Sequence, residues 1–292
     1  MLNKKIVIIS QSSLDLFEDN LYLGGPVSYG GSLLNNLGAD FTVIPMFKKD
    51  FPFIDYYKRK IKNYMPIFSK NTTTFVMNLI ENKRYVTPIK KADKFDCSMI
   101  PDEAFNAGFI YLSPIINDMP INFIKDIKSK SKAIIAIDPF NNDSGHFSKE
   151  EMSYFKELVK YTDIIKLSEN ELLGLAGKNE FSKAVDFLKN FDNLFLITLG
   201  ALGTFVFKKE LINKIIPTLR MKKIVDATGC GDVFLAGFLY GLSNDYSLEK
   251  SVLWGNVCAS LSTSSKGPWY MPAKDQVIQS LESFNKRDKF KK

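Results

Sequence analysis

Val225-Asp226-Ala227-Thr228-Gly229-Cys230-Gly231-Asp232-Val233-Phe234-Leu235-Ala236-Gly237-Phe238-Leu239 is the stretch whose reading decides this chain. Ile224 and Val225 read as the end of an apolar strand. An acid follows, then two glycines, a second acid and an apolar helix. Glycine tolerates positive φ and leaves the neighbouring backbone N–H groups uncovered. Such N–H groups at a helix N-terminus attract anions. An aspartate beside an anion site is out of place unless it has work there. It has work if it takes the proton of a hydroxyl while the N–H groups hold a phosphoryl group in transfer. The stretch therefore predicts a small-molecule kinase, with Asp232 as base and Gly229, Cys230 and Gly231 completing an anion hole. The plainer reading is a strand-to-helix turn with an Asp N-cap. Five fixed identities at this spacing arise by chance in about one unrelated chain of this length in ten thousand, which favours the chemical reading.

The segment closely resembles the signature of the ribokinase (PfkB) family of carbohydrate kinases, usually Asp-Thr-Thr-Gly-Ala-Gly-Asp before an apolar helix. Ala227 stands for a Thr and Cys230 for an Ala; both are small, and the acid and glycines are kept. The resemblance implies a ribokinase-like three-layer α/β/α fold with a mostly parallel central sheet and a small β lid. It also implies ATP and magnesium as cofactors. Many relatives carry a monovalent cation such as potassium, for which Asp226 is the candidate ligand here.

The 292 residues, 45% hydrophobic and 24% charged, suit one large α/β domain with an ample core. No apolar run is long enough to cross a bilayer. The first residues, basic and then apolar, lack a small-residue cleavage site and read as a buried strand. Three cysteines (Cys97, Cys230, Cys258) without a Cys-x-x-Cys pair argue against a disulfide framework or structural zinc, and fit a reducing cytoplasm. Cys230 reads as a small packing residue or as a thiol of lowered pKa at a helix start. The net charge of +7 is scattered, with a concentration at 285–292 that reads as a frayed, disordered tail. Without a basic face interleaved with aromatics, nucleic acid is not expected as a partner, and neither is a membrane.

Short apolar runs alternate with amphipathic stretches, the pattern of a parallel sheet covered by helices. Strands are expected at 5–10, 41–46, 109–113, 133–138, 163–167 and 194–199. Helices are expected near 28–37, 118–129, 148–161, 169–176, 181–190, 233–242, 248–264 and 274–284. Residues 71–87 read instead as a β-hairpin. Having no place in a doubly wound sheet, it is expected to project as a lid together with about 15–24. The short 16–23 link leaves little room for a second lid hairpin. The lid's outer edge offers a second subunit a strand to pair with, giving a homodimer. Ligands of open α/β sheets sit beyond the carboxyl ends of strands, so Asp138 and Asp226, read as strand-ending acids, are expected near the chemistry.

Three further segments complete the expected site. Ser10 to Asp15, then Gly24-Gly25-Pro26 and the following helix, resemble the family's sugar-binding segment. Asp15, Gly24, Gly25 and Tyr29, with Asp138, are the candidate acceptor residues. A carboxylate there can accept several sugar hydroxyls. On its own Asp15 reads equally as a turn residue. Ser10 stands where a glycine is usual, and Tyr29 where ribokinases carry a sugar-contacting Asn; ribose is not implied. Ser168-Glu169-Asn170-Glu171 is a capping box by spacing. It also resembles the family's Asn-x-x-Glu, which implies magnesium held by Glu171 through water and a nucleotide-side role for Ser168. Thr198, Gly200 and Gly203 resemble the family's Thr-x-Gly-x-x-Gly nucleotide segment, and Asn256 the Asn of its late helix flanking adenine; the resemblance makes all four candidate ATP-binding residues. His146 reads as a solvated loop residue, Trp254 and Trp269 as packing residues.

The combined expectation is ATP-dependent phosphorylation of a hydroxyl on a sugar, cyclitol or related polyol. A nucleoside kinase on the same fold is the alternative. A non-catalytic sugar-binding paralogue is the third reading, favoured by Ser10, Ser168, Ala227 and Cys230 but opposed by the intact Asp232, Gly229 and Gly231.

Overall fold

A computed structural model describes residues 3–80, 83–140 and 145–289. The chain begins β1 (Ile6–Gln11), β2 (Ser13–Phe17), β3 (Asn20–Gly24), α1 (Pro26–Leu37), β4 (Phe41–Phe47), α2 (Ile54–Tyr56) and β5 (Ile67–Phe68). A hairpin, β6 (Thr73–Ile80) and β7 (Lys83–Lys90), precedes β8 (Phe109–Ser113), α3 (Ile121–Lys130), β9 (Ile134–Ile137) and α4 (Lys149–Leu158). Then come β10 (Ile164–Ser168), α5 (Glu169–Ala176), α6 (Phe181–Leu188), β11 (Leu194–Thr198), β12 (Thr204–Lys208) and β13 (Ile212–Ile216). Three helices close the chain: α7 (Cys230–Ser243), α8 (Leu248–Ser262) and α9 (Lys274–Lys289).

Nine strands form one sheet in the order β13-β12-β11-β10-β9-β8-β1-β4-β5, parallel from β5 to β11 and antiparallel over the last two pairs. Side chains of a strand alternate between its faces, and β1 shows how this divides the core. Ile6 and Ile8 join residues of α1, α7, α8 and α9 in one cluster; Val7 and Ile9 join those of α3, α4, α5 and α6 in another. All six β1 residues are buried, as expected for a strand covered on both sides. Each fully buried Ile or Val contributes about 1.5–3 kcal/mol, so the central strands hold the three layers together.

The segments expected to form the lid make a separate four-stranded sheet, β3-β2-β6-β7. The 16–23 link, expected to be too short for a hairpin, makes one: Ser13 faces Gly24 and Asp15 faces Tyr22. The tip residues Glu18, at φ 52°, and Asp19 turn the chain within two residues. The tip of the second lid hairpin, residues 81 and 82, lies outside the described residues.

Two expectations need correction. Ile224 and Val225 do not end a strand: they are 63% and 52% exposed. The sheet edge on that side is taken by the β12–β13 hairpin, and Val225 and Asp226 instead donate their N–H groups to Thr263 O at the end of α8 (2.8 and 3.2 Å). Asp226 is therefore a loop acid. The basic tail is helical as far as Lys289, because no Gly or Pro interrupts α9; residues 290–292 lie outside the described residues.

Candidate active site

Strand parity gathers the site. Tyr111 on β8, Asp138 just past β9 and Lys166 on β10 share the parity of Tyr111, Ala136 and Ile164, which pack on the α7 side of the sheet. The first turn of α7 lies over them and carries Asp232. Tyr111 donates its hydroxyl to Asp232 Oδ1 at 3.0 Å. Lys166 Nζ donates to Asp138 Oδ2 at 2.9 Å, with side-chain exposures of only 10% and 8%. Neither Tyr111 nor Lys166 was expected as a site residue. The sequence carries a signal for Lys166 alone, because a Lys between Ile165 and Leu167 breaks an otherwise apolar strand.

Burial sets the charges here. It pushes the Asp232 carboxyl up to about 6, against the opposing pull of Lys166 and the Tyr111 hydrogen bond. Asp138 is pushed up as well, first by burial and then by Glu171 and Asp232, with Lys166 opposing. Burial works against the Lys166 ammonium, but Asp138, Glu171 and Asp232 more than offset it and hold its pKa above the ordinary value. The Tyr111 phenol is raised well above 10 by burial and the neighbouring carboxylates, so it stays a hydrogen-bond donor.

The loop before α7 is shaped by two close approaches. Gly229 caps α7 at φ 74°, and a Cβ there would come within 2.3 Å of the Tyr29 ring. At Gly231 a Cβ would lie 2.8 Å from Lys166 Nζ and 3.6 Å from Asp138 Oδ2. Gly229 is required by its left-handed φ and the Tyr29 ring; at Gly231 a Cβ would displace the paired Lys166 ammonium. Cys230 N–H donates to Ala227 O at 3.2 Å, so it is not part of the hole as expected. The N–H groups of Gly229, Gly231 and Asp232 take no acceptor among the described residues, the arrangement an anionic ligand satisfies. The Cys230 thiol packs against Ala259 O and Ser262 Oγ, and burial raises rather than lowers its pKa.

Of the expected acceptor residues, Tyr29 meets this loop through Gly229. A Cβ on Gly24 would touch Asp15 Oδ2 at 2.8 Å, so that carboxylate lies against the start of α1. Gly25, at φ 91°, turns the chain into α1, whose Gly30 packs against Ala236 of α7. Asp138 is the exception among them: it is buried beneath Gly231 and pairs with Lys166 instead of facing an acceptor.

On the expected nucleotide side, Ser168 and Thr198 are register neighbours at the ends of β10 and β11. Ser168 Oγ accepts from Glu171 N, and Ser168 N donates to Glu171 Oε2 at 2.7 Å, so the capping box is real. Gly200, at φ 56°, borders open space, with nothing within 4 Å of where a Cβ would sit, whereas Gly203 is pressed against Ile216 O. Asn256 is buried and committed: Oδ1 accepts from Thr204 at 2.6 Å, and Nδ2 donates to Ile216 O and Pro217 O. It ties α8 to β12 and β13. Asp226 Oδ1 accepts from Thr228 N and Oγ1, a local turn. Among the described residues no three His, Cys, Asp or Glu side chains cluster as metal ligands. A magnesium ion here would be held largely by water and phosphate oxygens.

A parallel sheet whose strand ends meet an acid at a glycine-lined helix N-terminus defines a small-molecule phosphotransferase. Residues 102–274 match the pfkB family carbohydrate kinase profile, and the chain belongs to that family, whose members transfer phosphoryl groups to alcohols. It is 29% identical over 281 residues to a nucleoside kinase of Methanocaldococcus jannaschii, covering 93% of this chain and 89% of that one. The fold superposes with a TM-score of 0.82 on the Xylella fastidiosa fructokinase with bound ATP, at 16% identity over 97% of this chain and 100% of that one. It superposes at 0.80 on a Vibrio cholerae fructokinase bound to fructose, ADP and calcium ion, at 22% identity over 96% and 99%. No helix among the described residues is long and apolar enough to cross a membrane.

Proposed function

We propose that this kinase transfers the γ-phosphoryl group of ATP to a hydroxyl of a sugar-like acceptor, with Asp232 as the base. The observation that carries the reading is the position of Asp232. Its Oδ1 is fixed by Tyr111, Oδ2 has no partner among the described residues, and the loop N–H groups beside it lack acceptors.

Bound ATP supplies the phosphoryl group, and magnesium on its phosphates, placed partly by Glu171, offsets their charge. The chain does the rest. Asp15 and the Gly24–Gly25 backbone orient the acceptor, and Asp232 Oδ2 takes the hydroxyl proton as the new bond forms. The N–H groups of Gly229, Gly231 and Asp232 meet the developing negative charge. Ser168, Thr198 and Gly200 border the phosphate side, and Asp226 is the loop carboxylate available to a monovalent cation. The free edge of the lid at β7 is where a second subunit would pair.

One observation favours a nucleoside as acceptor. Directly paired residues of neighbouring strands share a face, so Asp15, Tyr22, Phe17 and Phe75 lie together on one face of the lid. Lys266, from the loop after α8, stands over Tyr22 at 4.1 Å and Phe17 at 5.9 Å. A hydroxyl-binding carboxylate beside an aromatic shelf suits a sugar joined to a planar base. The similarity to the archaeal nucleoside kinase, nearly full-length, points the same way.

The test is magnesium- and ATP-dependent ADP release over a panel of pentoses, hexoses, inositols and nucleosides. A nucleoside that stimulates release far more than its free sugar is the expected result. Preference for a free hexose or inositol overturns the nucleoside reading. Absence of stimulation, with ligand-induced thermal shifts retained, favours a binding role over a kinase.

A further inference from the structure

The ion pair under the anion loop is a buried charged group that the mechanism above leaves unused. Lys166 interrupts the apolar run Ile164, Ile165 and Leu167 on β10, where a hydrocarbon side chain would pack without a desolvation cost. Its ammonium is the only hydrogen-bond donor to the Asp138 side chain among the described residues, because Asp138 Oδ1 is buried without a partner. The pair lies against the backbone one residue before Asp232, its ammonium 2.8 Å from where a Cβ on Gly231 would sit. Only Asp138, from the end of β9, touches this cation, at 2.9 Å; the carboxylates of Glu171 on α5 and Asp232 on α7 act on it electrostatically from further off. Tyr111 from β8 faces Asp232 as a neutral donor, and Cys230 and Asp226 flank it on its own segment. Buried like charges cannot all stay ionised without a compensating one.

We infer that Lys166 is a positioning residue for the base: paired with Asp138 beneath Gly231, one residue before Asp232, it keeps Asp232 ionised and aimed at the acceptor. The inference rests on the kinase reading for what Asp232 does, but not for whether Lys166 controls it. Asp138 is the counterweight. Without Lys166, Asp232 holds its proton more tightly; without Asp138, the ammonium acts on Asp232 unopposed and Asp232 releases its proton more readily. Removing both returns the balance near its starting point.

The test is a carboxyl-carbon NMR titration of full-length protein labelled with 13C-aspartate, with the Asp232 resonance assigned by its loss in Asp232→Asn. The Asp232 midpoint is expected to rise by about one unit, a tenfold change in ionisation, in Lys166→Met. It is expected to fall in Asp138→Asn, and to return toward wild type in the double variant. The acid limb of kcat/KM should move in the same directions. A merely structural role lowers kcat in every variant and leaves the midpoints in place, which overturns the inference. Should Lys166→Met fail to fold, the fall in Asp138→Asn and the return in the double variant decide. Wild type that turns over no acceptor while the midpoints shift as described removes the kinase reading and leaves the charge balance standing.

Discussion

Tyr111 donates its hydroxyl to Asp232 across 3.0 Å, from the middle of a buried strand to the first turn of a helix 121 residues later in the chain. The bond fixes one carboxylate oxygen and leaves the other to react. It also favours the ionised acid. Tyr111→Phe keeps the ring and removes only that donor. The acid limb of kcat/KM should move up by roughly half to one unit, with a several-fold loss of kcat at pH 7. A pH–rate series on the two proteins checks this.

Asp232 gives pH dependence of two opposite kinds. As a base it must be ionised, so kcat/KM should fall about tenfold per unit as pH drops below its pKa of about 6. Stability runs the other way. The folded-state pKa lies above the ordinary 3.8, so the folded protein holds this proton more tightly than the unfolded chain. Its stabilising contribution is complete at low pH and is lost as pH rises through about 4 to 6. Asp232→Asn should therefore stabilise the protein at pH 7 by about 1–2 kcal/mol while abolishing most activity. Thermal melts of both proteins at pH 7 and pH 4 test the sign; the gain should shrink at pH 4.

Gly229→Ala should be among the most damaging single methyl additions. It forces a left-handed residue and drives a Cβ into the Tyr29 ring. A loss of about 2–4 kcal/mol is expected. In a Tyr29→Ala background the penalty should shrink toward the backbone cost alone, about 1–2 kcal/mol. Denaturant unfolding of the four proteins measures the coupling.

Asn256→Ala removes three hydrogen bonds at once and strands the Thr204 hydroxyl and the Ile216 carbonyl in the interior. A destabilisation of about 2–4 kcal/mol is expected, with a larger effect on the melting temperature than on the KM for ATP. Kinetics and melts on the same preparation separate the two.

The layers were legible because alternating apolar runs and amphipathic stretches mark them directly. Strands 109–113 and 194–199 lie where the pattern puts them, the latter ending one residue sooner. The misreadings share a cause. Ile224 and Val225 look like a strand locally, but the Val225 N–H is spent on Thr263 O at the end of α8, a contact from a distant segment that no local pattern shows. The lid hairpin at 13–24 hid because two non-glycine residues, Glu18 and Asp19, make its turn. The motif revealed Asp232 and its glycines, since their chemistry is local. Lys166 leaves a trace as a charge in an apolar run, but Tyr111 and the pairing of Asp138 with Lys166 were hidden because they are set by register between strands far apart in sequence. Asn256 was read as a ligand contact, whereas its amide is spent on tying helix to sheet.

The central claim is that Asp232 removes the acceptor proton and does little to hold the nucleotide. The most direct measurement is kcat for the best acceptor alongside the dissociation constant of magnesium–ATP, for wild type and Asp232→Asn at pH 7.5. The account expects kcat to fall by about 10²–10⁴ with ATP affinity changed less than about threefold. A variant that keeps kcat within a few-fold of wild type, or that loses ATP binding in step with turnover, contradicts it.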